Sequence, residues 1–100
     1  MTDESEISVV RNDEAGQYEI WVDGELAGLT VIDVRPEFTV MPHTEVGEKF
    51  GGRGLATRLV REALDDLRSR GDKIVALCPL VVAFVRKHPE YADLLARPLD

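Results

Sequence analysis

The segment Phe38–Thr57 reads FTVMPHTEVGEKFGGRGLAT, and its order of residue types decides the fold of the chain. Its first half, Phe38–Val46, is rich in β-branched residues and predicts a strand. Four glycines then fall within eight positions, at Gly47, Gly51, Gly52 and Gly54. From Leu55 the apolar residues recur every three or four positions, which predicts a helix. A strand that passes through a glycine loop into a helix predicts a ligand site at that loop.

Downstream of the loop, the predicted helix continues to Leu67 with its apolar residues on one face. Gly71 stands where a left-handed residue commonly ends a helix. Lys73–Leu77 is rich in apolar residues and predicts a short buried strand, and Leu80–Lys87 predicts a second helix. Pro79 precedes that helix, where the first turn tolerates proline. The second half of the chain therefore predicts a helix, a strand and a helix in succession.

Upstream of the loop, apolar and polar residues alternate, which is the pattern of half-buried strands. The alternation is clear over residues 17–22, and Asp23-Gly24 after it is typical of a two-residue hairpin turn. Leu26–Val34 predicts the next strand, with Gly28 as a candidate for a bulge. The first half of the chain therefore predicts an antiparallel meander.

Together these elements predict a mixed α+β fold in one domain over residues 1–100. The predicted strands Phe38–Val46 and Lys73–Leu77 are joined by a helical crossover, so we expect them to pair in parallel with a right-handed connection. Ligands of such sheets collect where strand ends meet helix N-termini. In this chain that place is residues 46–57.

The composition is that of a small folded domain. The chain has 100 residues, of which 44% are hydrophobic and 31% charged. The longest uncharged apolar stretch, Ile74–Val85, contains a proline and is too short to span a bilayer. The acidic beginning, TDESE, is the opposite of an export signal, so we expect a cytoplasmic protein without membrane contact. The single cysteine, Cys78, excludes an internal disulfide and a Cys-rich zinc module, and no residue spacing suggests a metal site.

Charge is divided unevenly along the chain. Residues 1–48 carry twelve acidic and two basic side chains, and residues 49–100 carry seven acidic and ten basic ones. The overall charge of −7 disfavours nucleic-acid binding, whereas the basic second half suggests a surface that meets an anion. The alternative is that the acidic half only supplies solubility.

The glycine loop has the chemistry of a phosphate site. Glycines allow the backbone to approach a ligand closely, and the amides at a helix start carry about half a positive charge. Arg53 and Arg58 add cationic side chains. The alternative is a connector in which glycine serves only turn geometry. A P-loop is excluded because Arg53-Gly54 stand in place of Lys and a hydroxyl residue, and a dinucleotide fingerprint is excluded because Thr57 stands in place of its third glycine.

A known phosphate loop does resemble this segment. In the GNAT superfamily of N-acetyltransferases the pyrophosphate loop reads Gln/Arg-x-x-Gly-x-Gly/Ala, and GGRGLA at residues 51–56 is similar to it, with Gly51 in place of the usual Gln or Arg. HTEV at residues 43–46, Cys78-Pro79 and HPEY at residues 88–91 occur in order around it. Together these segments resemble the YjdJ-type branch of that superfamily, a set of minimal GNAT-like proteins.

The resemblance implies an acyl-CoA N-acyltransferase fold and acetyl-CoA as cosubstrate, with no metal. It places the main chain around Glu45–Val46 beside the pantetheine and the loop amides on the pyrophosphate. The resulting cofactor-binding residues are Val46, Gly51, Gly52, Arg53, Gly54, Leu55, Ala56 and Thr57. The amide of Val46 matches the position from which relatives often stabilise the thioester oxyanion.

Two residues are candidates for the chemistry of amide formation, which needs a proton acceptor and a stabilised leaving group. Cys78 precedes a helix N-terminus, where a thiolate is favoured, and could accept an acetyl group or donate a proton to departing CoA. Its alternative role is that of a buried small hydrophobe. Glu45 could be the general base, as a strand carboxylate is in some GNAT enzymes, or one more acidic surface residue.

Three further residues have weaker chemical signals. His43 and His88 are natural proton carriers near neutral pH, but each adjoins a proline, which favours a turn or capping role. Tyr91 could protonate the leaving thiolate, although an aromatic anchor for a terminal turn is the simpler interpretation.

The favoured function is an acetyl-CoA-dependent N-acetyltransferase that acts on an unidentified amine, which the acidic half could attract if it is cationic. The alternative is a CoA-binding module without efficient transfer, in need of a partner to complete the acceptor pocket. A non-enzymatic interaction protein would leave the glycine loop unexplained. We expect a monomer or a weak homodimer.

Overall fold

The computed structural model describes residues 6–99, and the acidic residues 1–5, on which the export argument largely depends, lie outside them. The described part forms seven strands, two α-helices and two 3₁₀ turns. The strands are β1 (Ile7–Asn12), β2 (Gln17–Val22), β3 (Glu25–Val31), β4 (Asp33–Val34), β5 (Thr39–Met41), β6 (Thr44–Val46) and β7 (Ile74–Ala76). The helices are α1 (Leu55–Ser69) and α2 (Pro79–Lys87), and the 3₁₀ turns are Glu48–Phe50 and Pro89–Leu94. The predicted mixed α+β fold is confirmed.

The antiparallel meander forms a four-stranded sheet in the order β1-β2-β3-β6. The predicted hairpin turn joins β2 to β3, with Asp23 at φ 49° and Gly24 at φ 82°, both in the left-handed region that such a turn requires. Ile20 pairs with Gly28 but Trp21 pairs with Leu26, so the register shifts between them. The bulge that the sequence suggested at Gly28 therefore falls on the preceding residue, Ala27, which has no partner in the register.

Two strands predicted as continuous are each interrupted in the structure. Leu26–Val34 is divided at Ile32, and Phe38–Val46 is divided at Pro42 and His43. Proline has no N–H to donate to a ladder, which explains the break. The register also changes by one residue across it, because Thr30 faces Thr44 whereas Asp33 faces Val40. The extra residue makes a bulge, and the second sheet, in the order β4-β5-β7, begins there.

Helix α1 crosses from the first sheet to the second, and β5 and β7 pair in parallel as predicted. Six apolar side chains of the helix are buried, namely Leu55, Leu59, Val60, Ala63, Leu64 and Leu67. Burial of each Leu or Val stabilises the fold by about 1.5–3 kcal/mol. At the end of the helix the Asp72 amide donates to the Leu67 carbonyl and the Gly71 amide to that of Arg68, with Gly71 at φ 75°. This confirms the predicted left-handed termination.

A polar contact fixes α1 against the first two strands of the meander, β1 and β2. The buried Tyr18 hydroxyl donates to the Asp66 carboxylate, and Arg11 donates to the Tyr18 oxygen at 3.1 Å. Burial and the hydrogen bond to Asp66 raise the pKa of Tyr18 to about 12, against the opposing effect of Arg11. Burial raises the pKa of Asp66, but the hydrogen bonds from Tyr18 and Arg70 outweigh it and leave that pKa lowered.

Candidate functional site

The site begins where the parallel pair of strands separates. The β5–β7 ladder ends at Met41 opposite Ala76, and the amides of Leu77 and Cys78 both donate to the Met41 carbonyl, at 3.1 and 2.9 Å. Beyond this point β6 continues beside β3, whereas the segment that follows β7 turns at Cys78 into α2. We call the gap between β6 and the Cys78 end of α2 the fork.

One edge of β6 faces the fork. The Gly47 amide donates to the Ala27 carbonyl of β3 at 2.8 Å. Alternate residues of a strand direct their N–H and C=O groups to the same neighbour, so Thr44 and Val46 direct theirs away from β3. Main-chain donors and acceptors of these two residues therefore line the fork.

The position of β6 depends on a glycine in β3. A Cβ atom on Gly28 would lie 2.6 Å from the Glu45 carbonyl oxygen and 2.9 Å from a methyl carbon of Val46. Both distances are shorter than van der Waals contact. Glycine at this position thus lets β6 approach closely enough to pair with β3 and to form its side of the fork.

The closed end of the fork contains a buried polar chain. The Cys78 thiol lies 3.3 Å from the Thr44 hydroxyl oxygen, which is 2.8 Å from that of Thr30. Cys78 is only 3% exposed, so the predicted catalytic thiol lies at the fork but is covered. Thr30 and Thr44 were missed by sequence reasoning. The sequence signal that could have identified them is a threonine at a core-facing strand position, where an aliphatic residue is more usual.

The glycine loop opens the start of α1. Gly52 and Gly54 have φ of 77° and 72°, and a Cβ on either would meet no atom within 4 Å. Gly54 is the N-cap residue, and within the described residues no side chain caps the helix. The first helical bond runs from the Arg58 amide to the Gly54 carbonyl at 3.1 Å. The amides that precede it have no partner inside the helix. They belong to Leu55, Ala56 and Thr57.

The charges around these amides suit an anion. The first turn of α1, residues 55–58, has no acidic side chain. Gly51 closes the preceding 3₁₀ turn with a bond from its amide to the Glu48 carbonyl at 3.0 Å, and exposed Arg53 follows in the loop. Arg58, the second cation of the sequence prediction, pairs with Glu62 at 2.7 Å. The predicted residues 51–57 are therefore brought together around uncapped amides.

A narrow cleft of about 150 Å³ runs from this loop between the two helices. Its α1 wall is made by Ala56, Thr57 and Val60, and its α2 wall is largely apolar with basic groups at one end. The residues of that second wall are Leu80, Ala83, Phe84, Lys87 and His88. The cleft thus extends the loop site along an apolar surface.

The outer face of the first sheet carries the other predicted catalytic residue. Glu45 is 62% exposed, and its Oε2 lies 3.0 Å from Nε2 of His43, which is 58% exposed. The two residues are separated by one position in and beside β6, so their side chains share a face. Thr44 between them points the opposite way, toward Cys78. The carboxylate and the thiol therefore lie on opposite faces of the same strand.

Two of the residues with weaker signals lie at and just after the C-terminal end of α2, away from β6. Tyr91 is buried, and its hydroxyl donates to Asp65 at 2.8 Å, so it anchors the C-terminal turn to α1. Burial and this hydrogen bond raise the pKa of Tyr91. His88 occupies the capping position between α2 and that turn, with its ring centroid 4.5 Å from that of Phe84.

Two kinds of feature are absent from residues 6–99. No group of three or more His, Cys, Asp or Glu side chains there could hold a metal ion. Neither described helix has the length and apolar composition needed to cross a membrane.

Comparison with known families gives one match. A family model described as GCN5-related N-acetyl-transferase matches residues 17–94. These limits include the meander from β2 onward, the fork, the glycine loop and both helices. No curated protein sequence matches the chain.

Solved structures share the fold. A ribosomal-protein-alanine N-acetyltransferase from Brucella melitensis biovar Abortus 2308 is 26% identical, with a TM-score of 0.57 over 82% of this chain and 62% of its own. A GCN5-like protein from Staphylococcus aureus is 19% identical, with a TM-score of 0.68 over 93% and 90%. A Bacillus subtilis acetyltransferase in complex with CoA is 21% identical, with a TM-score of 0.54 over 73% and 64%. The chain thus spans about three fifths of the Brucella protein.

Proposed function

We infer the activity of this chain from its family: it belongs to the GCN5-related N-acetyltransferases. We propose that it binds acetyl-CoA and transfers the acetyl group to an amine. The observation that carries the proposal is the adjacency, within residues 6–99, of two backbone surfaces: the start of α1, which has no side-chain cap, and the fork-facing edge of β6. One accepts an anion and the other accepts an amide-containing chain.

In this proposal the start of α1 binds the pyrophosphate of CoA. The amides of Leu55, Ala56 and Thr57 point out of the helix, where its dipole favours negative charge. Left-handed Gly52 and Gly54 leave the approach to these amides open. Arg53 adds positive charge beside them.

The edge of β6 binds the pantetheine arm. The amide groups of pantetheine are hydrogen-bond donors and acceptors, and so are the main-chain groups of Thr44 and Val46 at the fork. The N–H of Val46 is the proposed donor to the thioester oxygen. A donor fixed in a strand needs no reorganisation when charge develops on that oxygen.

The two predicted catalytic residues act from opposite faces of β6. Glu45 stands on the exposed face, on the path by which the acceptor amine loses its proton. Cys78 stands at the closed end of the fork and protonates the departing thiolate. Its thiol is covered and hydrogen-bonded to Thr44, which supports a proton donor rather than an acyl carrier.

The acceptor in this proposal is a cationic amine such as a polyamine or a lysine side chain. Acidic side chains predominate in residues 1–48, which supply the first sheet, and they favour approach of a cation. The Brucella neighbour is named a ribosomal-protein-alanine N-acetyltransferase. This chain spans only 62% of that protein, so we do not assign its substrate to this chain. We also place the chain in the minimal YjdJ-type branch, on the sequence segments that resemble it.

The openness of the outer sheet face favours a second candidate. Leu26 and Glu45 are exposed at 42% and 62%, and they line a shallow groove of about 380 Å³ between β3 and β6. An acceptor pocket this open suits a CoA-binding module whose partner protein completes the site.

Calorimetric titration with acetyl-CoA and CoA, followed by mass spectrometry of the protein and of added amines, tests the proposal. Binding of both nucleotides together with an acetylated amine supports the transferase. Binding without transfer favours the CoA-binding module. If neither nucleotide binds, the glycine loop is only a connector and the proposal fails.

A further inference from the structure

The pair formed by His43 and Glu45 has no structural task in the fold. Both side chains are more than half exposed, and their Nε2 and Oε2 atoms are 3.0 Å apart. An exposed ion pair of this kind contributes little to stability. The main chain of His43 does have a structural task, since its carbonyl accepts the Val31 amide at 2.8 Å. The main chain of His43 is thus fixed by its hydrogen bond to β3, whereas the imidazole contributes little to the stability of the fold.

We propose that His43 is the base that removes a proton from the acceptor amine, and that Glu45 is the positioning residue that orients its ring. The inference rests on the proposed acetyl transfer and refines the part that Glu45 takes in it. It assigns the proton to an imidazole, in which one ring nitrogen can accept a proton while the other donates to a carboxylate.

The contact with Glu45 selects one form of the ring. A carboxylate accepts hydrogen bonds, so in the neutral ring the nitrogen that faces it, Nε2, carries the proton. Nδ1 is then the nitrogen with a free electron pair. Glu45 also stabilises the imidazolium that forms when Nδ1 takes a second proton. The arrangement matches that of a base oriented by a third group.

The location of His43 fits this task. It follows Pro42 at the bulge and precedes Thr44, whose main chain lines the fork. Bulges re-aim side chains and are common beside active sites. His43 projects to the exposed sheet face, where its ring is accessible to an amine that approaches from solvent.

The side chains that share the sheet face with His43 and Glu45 are mostly uncharged. Leu29 lies opposite Glu45 on β3, and Val31 lies beside His43 on the same face. On the next strand Glu19 is 7% exposed and accepts hydrogen bonds from Asn12, Gln17 and Trp21. Within residues 6–99, Glu45 is therefore the charged group paired with His43, and Glu19 lies in register with Glu45 on the far side of β3.

A protonated amine loses two protons in the transfer. Nδ1 of His43 takes one proton from the ammonium group, and the freed nitrogen forms a bond to the acetyl carbonyl carbon. The carbon–sulfur bond then breaks, and its electron pair leaves with sulfur. Cys78 gives its proton to the thiolate and regains one from the excess on the amide nitrogen, and His43 releases its proton to solvent. The products are an amide, CoA thiol and one proton.

The test compares His43→Gln and Glu45→Gln with Asp33→Asn as the matched control. Asp33 forms an exposed pair with Arg35 at 2.6 Å, also two residues apart, on the other sheet. Transfer from radiolabelled acetyl-CoA to poly-lysine and to spermidine is followed from pH 5 to 10, and acetyl-CoA affinity is measured by calorimetry. The ring tautomer of His43 is read from its nitrogen NMR shifts.

We expect His43→Gln to lower kcat at pH 7 by about 10²–10⁴ with unchanged acetyl-CoA affinity. The deficit should shrink as the pH rises and the amine loses its own proton, which a purely structural role would not produce. Glu45→Gln should cause a smaller loss and abolish the Nε2–H preference, and Asp33→Asn should change nothing.

Two results would overturn the inference. One is wild-type rate and pH dependence in His43→Gln, and the other is a wild-type ring protonated on Nδ1. Failure of the transfer proposal has a different signature, since the wild-type protein would then bind acetyl-CoA but acetylate neither amine. The tautomer measurement still judges the His43–Glu45 pair in that case.

Discussion

The thiol sulfur of Cys78 lies 3.3 Å from the hydroxyl oxygen of Thr44, and this contact joins the start of α2 to β6 at the closed end of the fork. It gives the thiol a fixed hydrogen-bond partner on the strand that we propose binds pantetheine. A cysteine that carried an acyl group would instead need an open path to the thioester. The covered position therefore favours direct transfer to the amine.

This position predicts slow chemical modification of Cys78. Because the side chain is 3% exposed, iodoacetamide should label it in the native protein at least about tenfold more slowly than in guanidinium-unfolded protein. Mass spectrometry of native protein with acetyl-CoA should detect no acetyl group on it. Fast native labelling together with an acetylated Cys78 would contradict direct transfer and establish an acyl relay.

Substitution of Gly54 separates the role of the loop from backbone strain. Gly54→Glu places a negative side chain beside the amides of Leu55, Ala56 and Thr57 and should weaken CoA binding more than about tenfold, as measured by calorimetry. Gly71→Glu is the control, because φ is 72° at Gly54 and 75° at Gly71, at opposite ends of one helix.

Both variants pay a similar backbone cost of about 1–2 kcal/mol for a left-handed residue. The control should therefore lose comparable stability and still bind CoA. Equal affinity of the two variants for CoA would exclude the start of α1 as the phosphate site.

Gly28→Ala tests whether the position of β6 depends on glycine. The added methyl group would meet the Glu45 carbonyl oxygen at 2.6 Å, and displacement of the strand should cost about 1–3 kcal/mol of the free energy of unfolding. Gly47→Ala is the control, since its Cβ would meet Phe50 and Ala27 at ordinary distances of 3.5 and 3.6 Å. Urea unfolding measures both. Equal stabilities would show that β6 does not need the close approach at Gly28.

Stability at high pH should depend on Tyr18. Its pKa is raised from an ordinary value of 10.0 to about 12, so between these values the folded state retains a proton that the unfolded state has lost. The stabilisation is complete below pH 10 and is lost as the pH rises toward 12. Denaturant unfolding at several pH values should show a steeper decline for the wild type than for Tyr18→Phe. Parallel curves would contradict the pKa shift that burial of Tyr18 and its hydrogen bond to Asp66 produce.

Local patterns predicted most of the elements. Asp23-Gly24 marked the hairpin because a two-residue turn needs two left-handed residues, and Asp-Gly is a favoured pair for it. The four-residue apolar period located α1, and Gly71 located its end. These features depend on residues close together in the chain, so the sequence contains the needed information.

The fork could not be predicted in the same way. The prediction of one strand over Phe38–Val46 was wrong at Pro42. The break there depends on a register shift against β3 and β4 as well as on the proline, and the register cannot be read from the sequence. The contact of Cys78 with Thr44 joins residues 34 positions apart, and neither has a sequence signal for the other. The His43–Glu45 pair was accessible in principle, since residues two apart on a strand share a face, but the adjacent proline drew the interpretation toward a turn.

The most direct test of the account is a map of backbone amide shifts by NMR during titration with acetyl-CoA. For acetyl-CoA bound at the proposed site, we expect the largest shifts at Leu55, Ala56 and Thr57 and at the fork-facing amides of Thr44 and Val46. Shifts confined to the opposite end of α1, around Tyr18 and Asp66, would contradict it, as would a spectrum that acetyl-CoA leaves unchanged.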